Sequence, residues 1–285
     1  MDRQAGNQQD GDQQAGDQRD GRSDPTYSVP PVIRAIAVLR YVAAGNRCRS
    51  MSKASKALGI NRTTLIRLIA TLRDEGMIEE IADGDGYRLG TGLIALAYEA
   101  LNERGVVQVS RPFLAELVRR LNLSSHLGVL EGREIVYLLR QTPNSHLVSN
   151  VREGTHLPAH ATTMGRILLA QLPREALHSL YANAELPAFT AKTRTSLPEL
   201  EAQLAEDRAG GIAWSMANFE PEIGSAAVPV YDYQGKAVAA INVTGHASVF
   251  EAGNPQLGEI ERALREAARG ISEALGYRGW ASDQM

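Results

Sequence analysis

One cysteine, Cys48, stands in the 285 residues, so the chain can form no intrachain disulfide and no site built from several thiolates. A reducing cytoplasm fits that chemistry. No apolar run approaches the roughly 20 residues that cross a bilayer, and the first residues lack the apolar core of a secretory signal. The expectation is a soluble cytoplasmic protein with no membrane partner. Equally missing are the G-x-S-x-G elbow, the G-x-x-x-x-G-K-S/T phosphate loop and a G-x-G-x-x-G turn after a strand. Among the six histidines, His156 and His160 have i,i+4 spacing, but Pro158 between them disfavours one helix presenting both rings. Asp83-Gly84-Asp85-Gly86 is similar to the start of a calcium loop, yet the remaining ligands and the closing glutamate are absent. No metal and no cofactor is expected.

What the chain does have is length for two domains and 44% hydrophobic residues, ample for a core in each. A net charge of −3 argues against general nucleic-acid coating. The charge is uneven, however. Between Val29 and Gly90 there are ten basic residues against six acidic, a local excess of +4 that suits a DNA-binding domain attached to something else.

That region contains the most informative stretch. Met51, Ala54, Ala57 and Leu58 precede Gly59; Leu65, Leu68, Ile69 and Leu72 follow Ile60, and both sets keep the three- and four-residue spacing of one helical stripe. Asn61 can cap the second helix and Gly59 permits the tight bend, which together make a helix-turn-helix. At 100° per residue, Thr63 and Arg67 fall opposite the apolar stripe, with Thr64 and Ile66 flanking. Threonine hydroxyls suit phosphates or base edges, Arg67 can fork onto guanine, and Ile66 can meet a thymine methyl. Asn61, Arg62, Thr63, Thr64, Ile66 and Arg67 are therefore the candidate DNA-binding residues. Residues Ile78 to Ala82 and Tyr87 to Leu89 read as short strands around the turn at 83–86, a hairpin wing with Arg88 at its edge. The plainer alternative is a helical hairpin with a solvated polar face.

Along the chain, residues 1 to 28 are Gln-, Gly- and Asp-rich and predict a disordered tail. Pro30-Pro31 opens a helix to about Ala44, with Ile33, Ile36, Ala37 and Leu39 among its apolar positions, packing behind the helix-turn-helix. Thr91 to Glu103 predicts a connecting helix bearing Leu93, Leu96, Ala97 and Leu101, and a further helix is expected from about Ser110 to Leu121. Strands follow at Ser125 to Leu130, Ile135 to Gln141 and His146 to Val151. Helices are expected from Thr162 to Ala170, from Pro173 to Tyr181 and from Leu197 to Ala209; a strand pair at Ala226 to Tyr231 and Ala237 to Thr244 precedes a closing helix over Gln256 to Leu275. The fold class is α+β in two domains, with an antiparallel sheet in the second. The expected division is a tail (1–28), a winged helix-turn-helix (29–90), a linker helix (91–104) and an effector-binding domain (105–280).

Four motifs in order, SMSKASKALGINRTTLIRLIATLRDEGMIEE, GYRLGTGLIALA, HLPAHATTMGRILLAQLP and AAVPVYDYQGKAVAAINVTG, make the chain from about residue 30 onward resemble the IclR family of bacterial transcription regulators. The resemblance implies a winged DNA-binding domain, a linker helix and a domain that holds a small organic effector, in dimers often paired into tetramers. It also implies a pocket formed by Thr162, Thr163 and Met164 at a helix start, Ser225, Asn242 and Thr244 on strands, and Ser215 at a place often acidic. Family members usually have small residues at the positions of Thr163 and Met164, lysine at Arg166, and serines at Asn242 and Thr244.

The residues alone support that pocket in part. Period-2 alternation puts Asn242 and Thr244 on one face of their strand, and Ser225 shares a face with Ala227 and Pro229. A helix starting near Thr162 would aim free N–H groups at an anion. The same pattern also suits polar positions on a solvated sheet face, with Thr162 merely a cap. The expected function is a transcription regulator whose hold on a DNA operator, an inverted repeat bound by a dimer or tetramer, responds to a small organic acid, with an aromatic one favoured weakly. Whether it represses or activates depends on operator position. The alternative is an enzyme acting on a small acid with an accessory DNA-binding domain. That reading needs a base in the pocket, where His160 is the nearby candidate.

Overall fold

The computed structural model describes residues 28–102, 105–143 and 151–279. Backbone proximity divides the chain into two compact units, Met1–Ala97 and Tyr98–Met285. The tail expected at 1–28 lies outside the described residues except for Ser28, as does most of the strand expected at His146 to Val151. Among the described residues no helix is long and apolar enough to cross a membrane.

In the first unit, α1 (Pro30–Ala43) opens with prolines where a missing N–H costs no hydrogen bond. α2 (Met51–Leu58) is capped by Ser50 and ends on Gly59 at φ +63°, a left-handed turn that glycine adopts without a Cβ clash. The chain then enters α3 (Arg62–Asp74), where Asn61 Oδ1 accepts the Thr63 N–H at 2.9 Å as the expected cap. Leu65, Ile69 and Leu72 of α3 bury against Val38, Val42, Ala54, Ile60 and Ile78. Each such leucine or isoleucine contributes roughly 1.5–3 kcal/mol by leaving water. β1 (Ile78–Glu80) and β2 (Tyr87–Leu89) pair antiparallel as the expected wing, with Glu79 opposite Arg88.

One packing expectation fails in α1. Val38 and Val42 are buried, whereas Ile33 and Ile36 remain 56% and 44% exposed. At 100° per residue these two point about 140° to 160° away from Val38, so the helix carries a second apolar stripe that faces outward.

α4 (Thr91–Asn102) carries the division between the units. In the second unit α5 (Gly105–Leu121) begins five residues earlier than expected, with Pro112 inside it rather than in its first turn. Burial of Val107, at 1% exposure and on the same stripe as Ser110, Leu114 and Leu117, holds that early turn in place. β3 (Ser124–Glu131) and β4 (Glu134–Gln141) form a hairpin; β5 (His156–Pro158) adds a short edge strand to it. After α6 (Thr163–Leu169), α7 (Arg174–Tyr181) and α8 (Leu197–Gly210) come β6 (Ala213–Met216), β7 (Ile223–Tyr231), β8 (Ala237–His246) and α9 (Leu257–Ala274). β5 and β6, three and four residues long, are too short to reveal alternation in sequence.

The six strands make one antiparallel sheet in the order β5-β4-β3-β8-β7-β6. Ala226, Val228, Ile241 and Val243 on one face pack against α5 and against the α9 stripe Ile260, Ala263, Leu264, Ala267 and Ile271. Ala213, Ala227, Ala240 and Tyr137 on the other face pack under Met164, Ile167 and Leu168 of α6. α6 approaches closely because residue 165 is glycine: a Cβ there would stand 2.3 Å from the Ala159 backbone. That approach sets the start of α6 over the sheet.

Candidate functional site

The outer face of α3 presents the residues expected to read DNA. Asn61, Arg62, Thr63, Ile66 and Arg67 are exposed and Thr64 is half-buried. Ile66 keeps 46% exposure on a polar face, a position that contact with a base methyl would cover. Arg62 and Arg67 form no ion pair among the described residues, leaving both guanidinium groups available to phosphate or guanine. Arg88 pairs across the wing with Glu79 at 2.6 Å. Both partners are exposed, so the pair is worth at most about 1 kcal/mol and can exchange for a DNA phosphate. Arg47 and Arg49 both pair with Asp85, bracing the tip of the wing instead of facing outward as free charge.

In the second unit a cavity of about 50 Å³ lies between the sheet and the segment entering α6. Thr162, Thr163, Ser215, Ser225, Asn242 and Thr244 all line it. Strand register explains why: Ser215 lies opposite Ser225, Ser225 opposite Thr244, Ala227 opposite Asn242, and Asn242 opposite His126 on the third strand. Thr163 Oγ1 meets Ser225 Oγ at 3.0 Å, and Ser215 Oγ lies 3.1 Å from Asn218 Oδ1. Thr244 Oγ1 is buried with no hydrogen-bond partner among the described residues.

Two details differ from expectation. Met164 lies outside the cavity: one residue on from Thr163 the helix has turned about 100°, so its fully buried side chain enters the core beside Ile135 and Gly128. The anion-binding helix start is also weaker than expected. Thr162 Oγ1 accepts the Gly165 N–H at 3.3 Å, consuming one of the free donors, and α6 spans only seven residues. Side chains must therefore supply the recognition.

His126, Tyr137, Phe219 and Glu220 also line it, with apolar Val151, Leu157, Ala161 and Ile223 between them, and escaped the sequence reading. The His126 ring is 1% exposed and meets Tyr137 edge-on at 5.3 Å between centroids. Burial pushes its pKa down to about 4, with Arg140 adding to the effect and the Asn242 hydrogen bond opposing it. Burial likewise pushes the Tyr137 hydroxyl up. Neither lysine nor arginine appears among the described lining residues, and Glu220 is the one acidic member. Arg166, at the family's lysine position, is 1% exposed and structural: its Nε donates to Asp207 Oδ2 at 2.9 Å and its Nη2 to the Trp214 carbonyl at 2.6 Å. His160 is not among the described lining residues of the cavity, and its Nε2 donates to the Pro187 carbonyl at 3.1 Å. His156 sits on β5 facing Glu134, apart from His160, and no group of three potential metal ligands occurs among the described residues.

Comparison with known proteins agrees with this architecture. The description "IclR helix-turn-helix domain" matches residues 31–81, and "Bacterial transcriptional regulator IclR C-terminal" matches 98–273. The repressor AllR of Klebsiella pneumoniae is 30% identical over 246 residues, covering 86% of this chain and 89% of that protein. The regulator XynR of Escherichia coli K12 is 29% identical over 249 residues, covering 87% and 98%. Among solved structures, an IclR homologue from Microbacterium hydrocarbonoxydans complexed with 4-hydroxybenzoate is 25% identical with a TM-score of 0.75, covering 86% of this chain and 98% of that one. A regulator from Alicyclobacillus acidocaldarius is 25% identical with a TM-score of 0.76, covering 88% and 100%. With its winged helix-turn-helix, linker helix and antiparallel α+β C-terminal domain, the chain is a DNA-binding transcription regulator, and it belongs to the IclR family.

Proposed function

We propose that this regulator's affinity for its DNA operator is controlled by a small organic molecule seated in the cavity lined by Thr162, Thr163, Ser215, Ser225, Asn242 and Thr244. Residues 29–90 read the DNA, 91–104 link, and 105–280 hold the effector. The observation that carries the reading is the convergence of four strands' polar side chains, including the unpartnered Thr244 hydroxyl, on one face of the sheet. Thr244 Oγ1 and His126 Nε2 are buried without partners among the described residues, a cost that a ligand bonding to them would remove.

An organic acid, the class implied by family resemblance, meets hydroxyl and amide donors and no lysine or arginine among the described lining residues. Size favours a short aliphatic one. A cavity that takes benzene measures about 150 Å³, three times the roughly 50 Å³ available here. An aromatic acid such as the 4-hydroxybenzoate bound by the Microbacterium homologue enters only if the lining moves apart. The effector changes DNA affinity to the extent that it binds two conformations unequally, and α4, which carries the unit division, is the element suited to differ between them.

A single α3 reads too few base pairs to stand out in a genome, so a dimer on an inverted repeat is the matching assembly. The exposed apolar side chains Val32, Ile33 and Ile36 on α1 and Ile94 and Leu96 on α4 suit such a contact. The effector reading is tested by identifying the compound released from purified protein and titrating it calorimetrically. Asn242→Ala and Ser225→Ala should each weaken its binding while ligand-free operator affinity stays unchanged; undiminished binding in both moves the pocket elsewhere.

A further inference from the structure

Neighbouring atoms determine which nitrogen of the buried His126 ring carries hydrogen. The His126 backbone N–H donates to Asn242 Oδ1 at 3.2 Å, which identifies that atom as the amide oxygen, because an amide nitrogen does not accept. The same oxygen lies 2.9 Å from His126 Nδ1 and can only accept from it. Nδ1 therefore bears the hydrogen, and in the neutral ring Nε2 is a bare lone pair. Nε2 is buried without a partner among the described residues, on a side chain that lines the cavity. Burial and Arg140, its partner on β4, disfavour a charged ring; Tyr137 faces it edge-on, and Glu220 is the acidic residue of the same lining. Thr244 Oγ1, the other unpartnered polar atom of the cavity, belongs to the residue two positions beyond Asn242, diagonal to His126 across the β3–β8 pair.

Building on the effector-site reading above, we propose that the effector carries a hydroxyl that donates to His126 Nε2 while Thr244 Oγ1 bonds a second oxygen of the same molecule, a short hydroxy acid or polyol. A hydroxyl satisfies Nε2 as it stands. A carboxylate presented to the same atom sets lone pair against lone pair, and binds only if the imidazole first takes up a proton.

The test titrates the full chain at pH 7.5 with glycolate against acetate, lactate against propionate, and glycerol as the uncharged arm. Calorimetry in two buffers of different ionisation enthalpy counts protons taken up. The expected result is that a hydroxylated probe binds about tenfold or more tightly than the acid lacking the hydroxyl, with no proton uptake, and that His126→Phe abolishes the preference. Glycerol alone binding identifies a polyol site, and the hydroxy acids alone a hydroxy-acid site. Equal binding of paired acids, uptake of about one proton per site, or a preference that survives in His126→Phe overturns the proposal. Should that variant not fold, imidazole ¹⁵N spectra of the wild type decide: Nε2 is expected to be unprotonated and to shift on ligand addition, and a protonated Nε2 refutes the assignment. If no probe binds, the hydroxyl assignment fails. The cavity reading fails separately, when the compound released from the protein binds Asn242→Ala and Ser225→Ala undiminished.

Discussion

Acidification should weaken the effector domain through His126, by an amount the structure bounds. The unfolded imidazole titrates near 6.5, whereas burial beside Asn242 and Arg140 brings the folded value to about 4. Between those values the unfolded chain binds the proton and the folded chain does not, so stability falls as pH drops from about 6.5 toward 4 and levels off below. The fall from 6.5 to about 4 sets the full loss at roughly 3 kcal/mol. For a domain of this size that corresponds to about 6–12 °C in Tm. Other groups titrate over the same range, and burial pushes His160 down as well. The informative quantity is therefore the stability difference between wild type and His126→Phe, measured by urea unfolding of the C-terminal transition at pH 7.5, 6, 5 and 4.5. Phenylalanine keeps a ring against Tyr137 but cannot take up a proton. The wild-type advantage should shrink steadily on acidification; a difference that stays flat across the series refutes the buried neutral imidazole, and with it the tautomer argument for Nε2.

Arg67→Ala should weaken specific operator binding by roughly 1–3 kcal/mol and relax preference at one base pair, while Arg62→Ala weakens all sequences more evenly; titrations across operator variants separate the two. Asp207→Ala leaves the Arg166 guanidinium, 1% exposed, without its carboxylate, and should cost about 3–5 kcal/mol in chemical unfolding, whereas replacing both partners with apolar residues restores most of that loss. Ile33→Glu or Ile94→Glu places a charge in the exposed apolar stripes of α1 and α4 and should shift sedimentation toward monomer; an unchanged assembly excludes those stripes from the contact.

α3 was legible because its determinants are local. Asn61, Gly59 and the Leu65, Ile69, Leu72 spacing act within a few residues, where cap geometry and helical period are direct consequences of backbone chemistry. The strand positions of Asn242 and Thr244 followed in the same way from alternation along β8. Membership of a face is a local property; the identity of the opposing residue is not. His126 stands 116 positions before Asn242 and meets it only because β3 pairs with β8 in one register, a choice made by packing both sheet faces at once. Met164 and Ile33 show the same limit from the other side. Each lies in a helix predicted from sequence, yet whether it faced the cavity, the core or solvent depended on the rotation of that helix against its neighbours. Local pattern in the chain sufficed for the family architecture, for which residues stand on the exposed face of α3, and for most of the polar residues that line the cavity. Tertiary structure decided the cavity's size, its lack of a cation among the described lining residues, and the lone pair of His126, because each arises from side chains far apart in sequence that only the folded sheet brings within hydrogen-bond range.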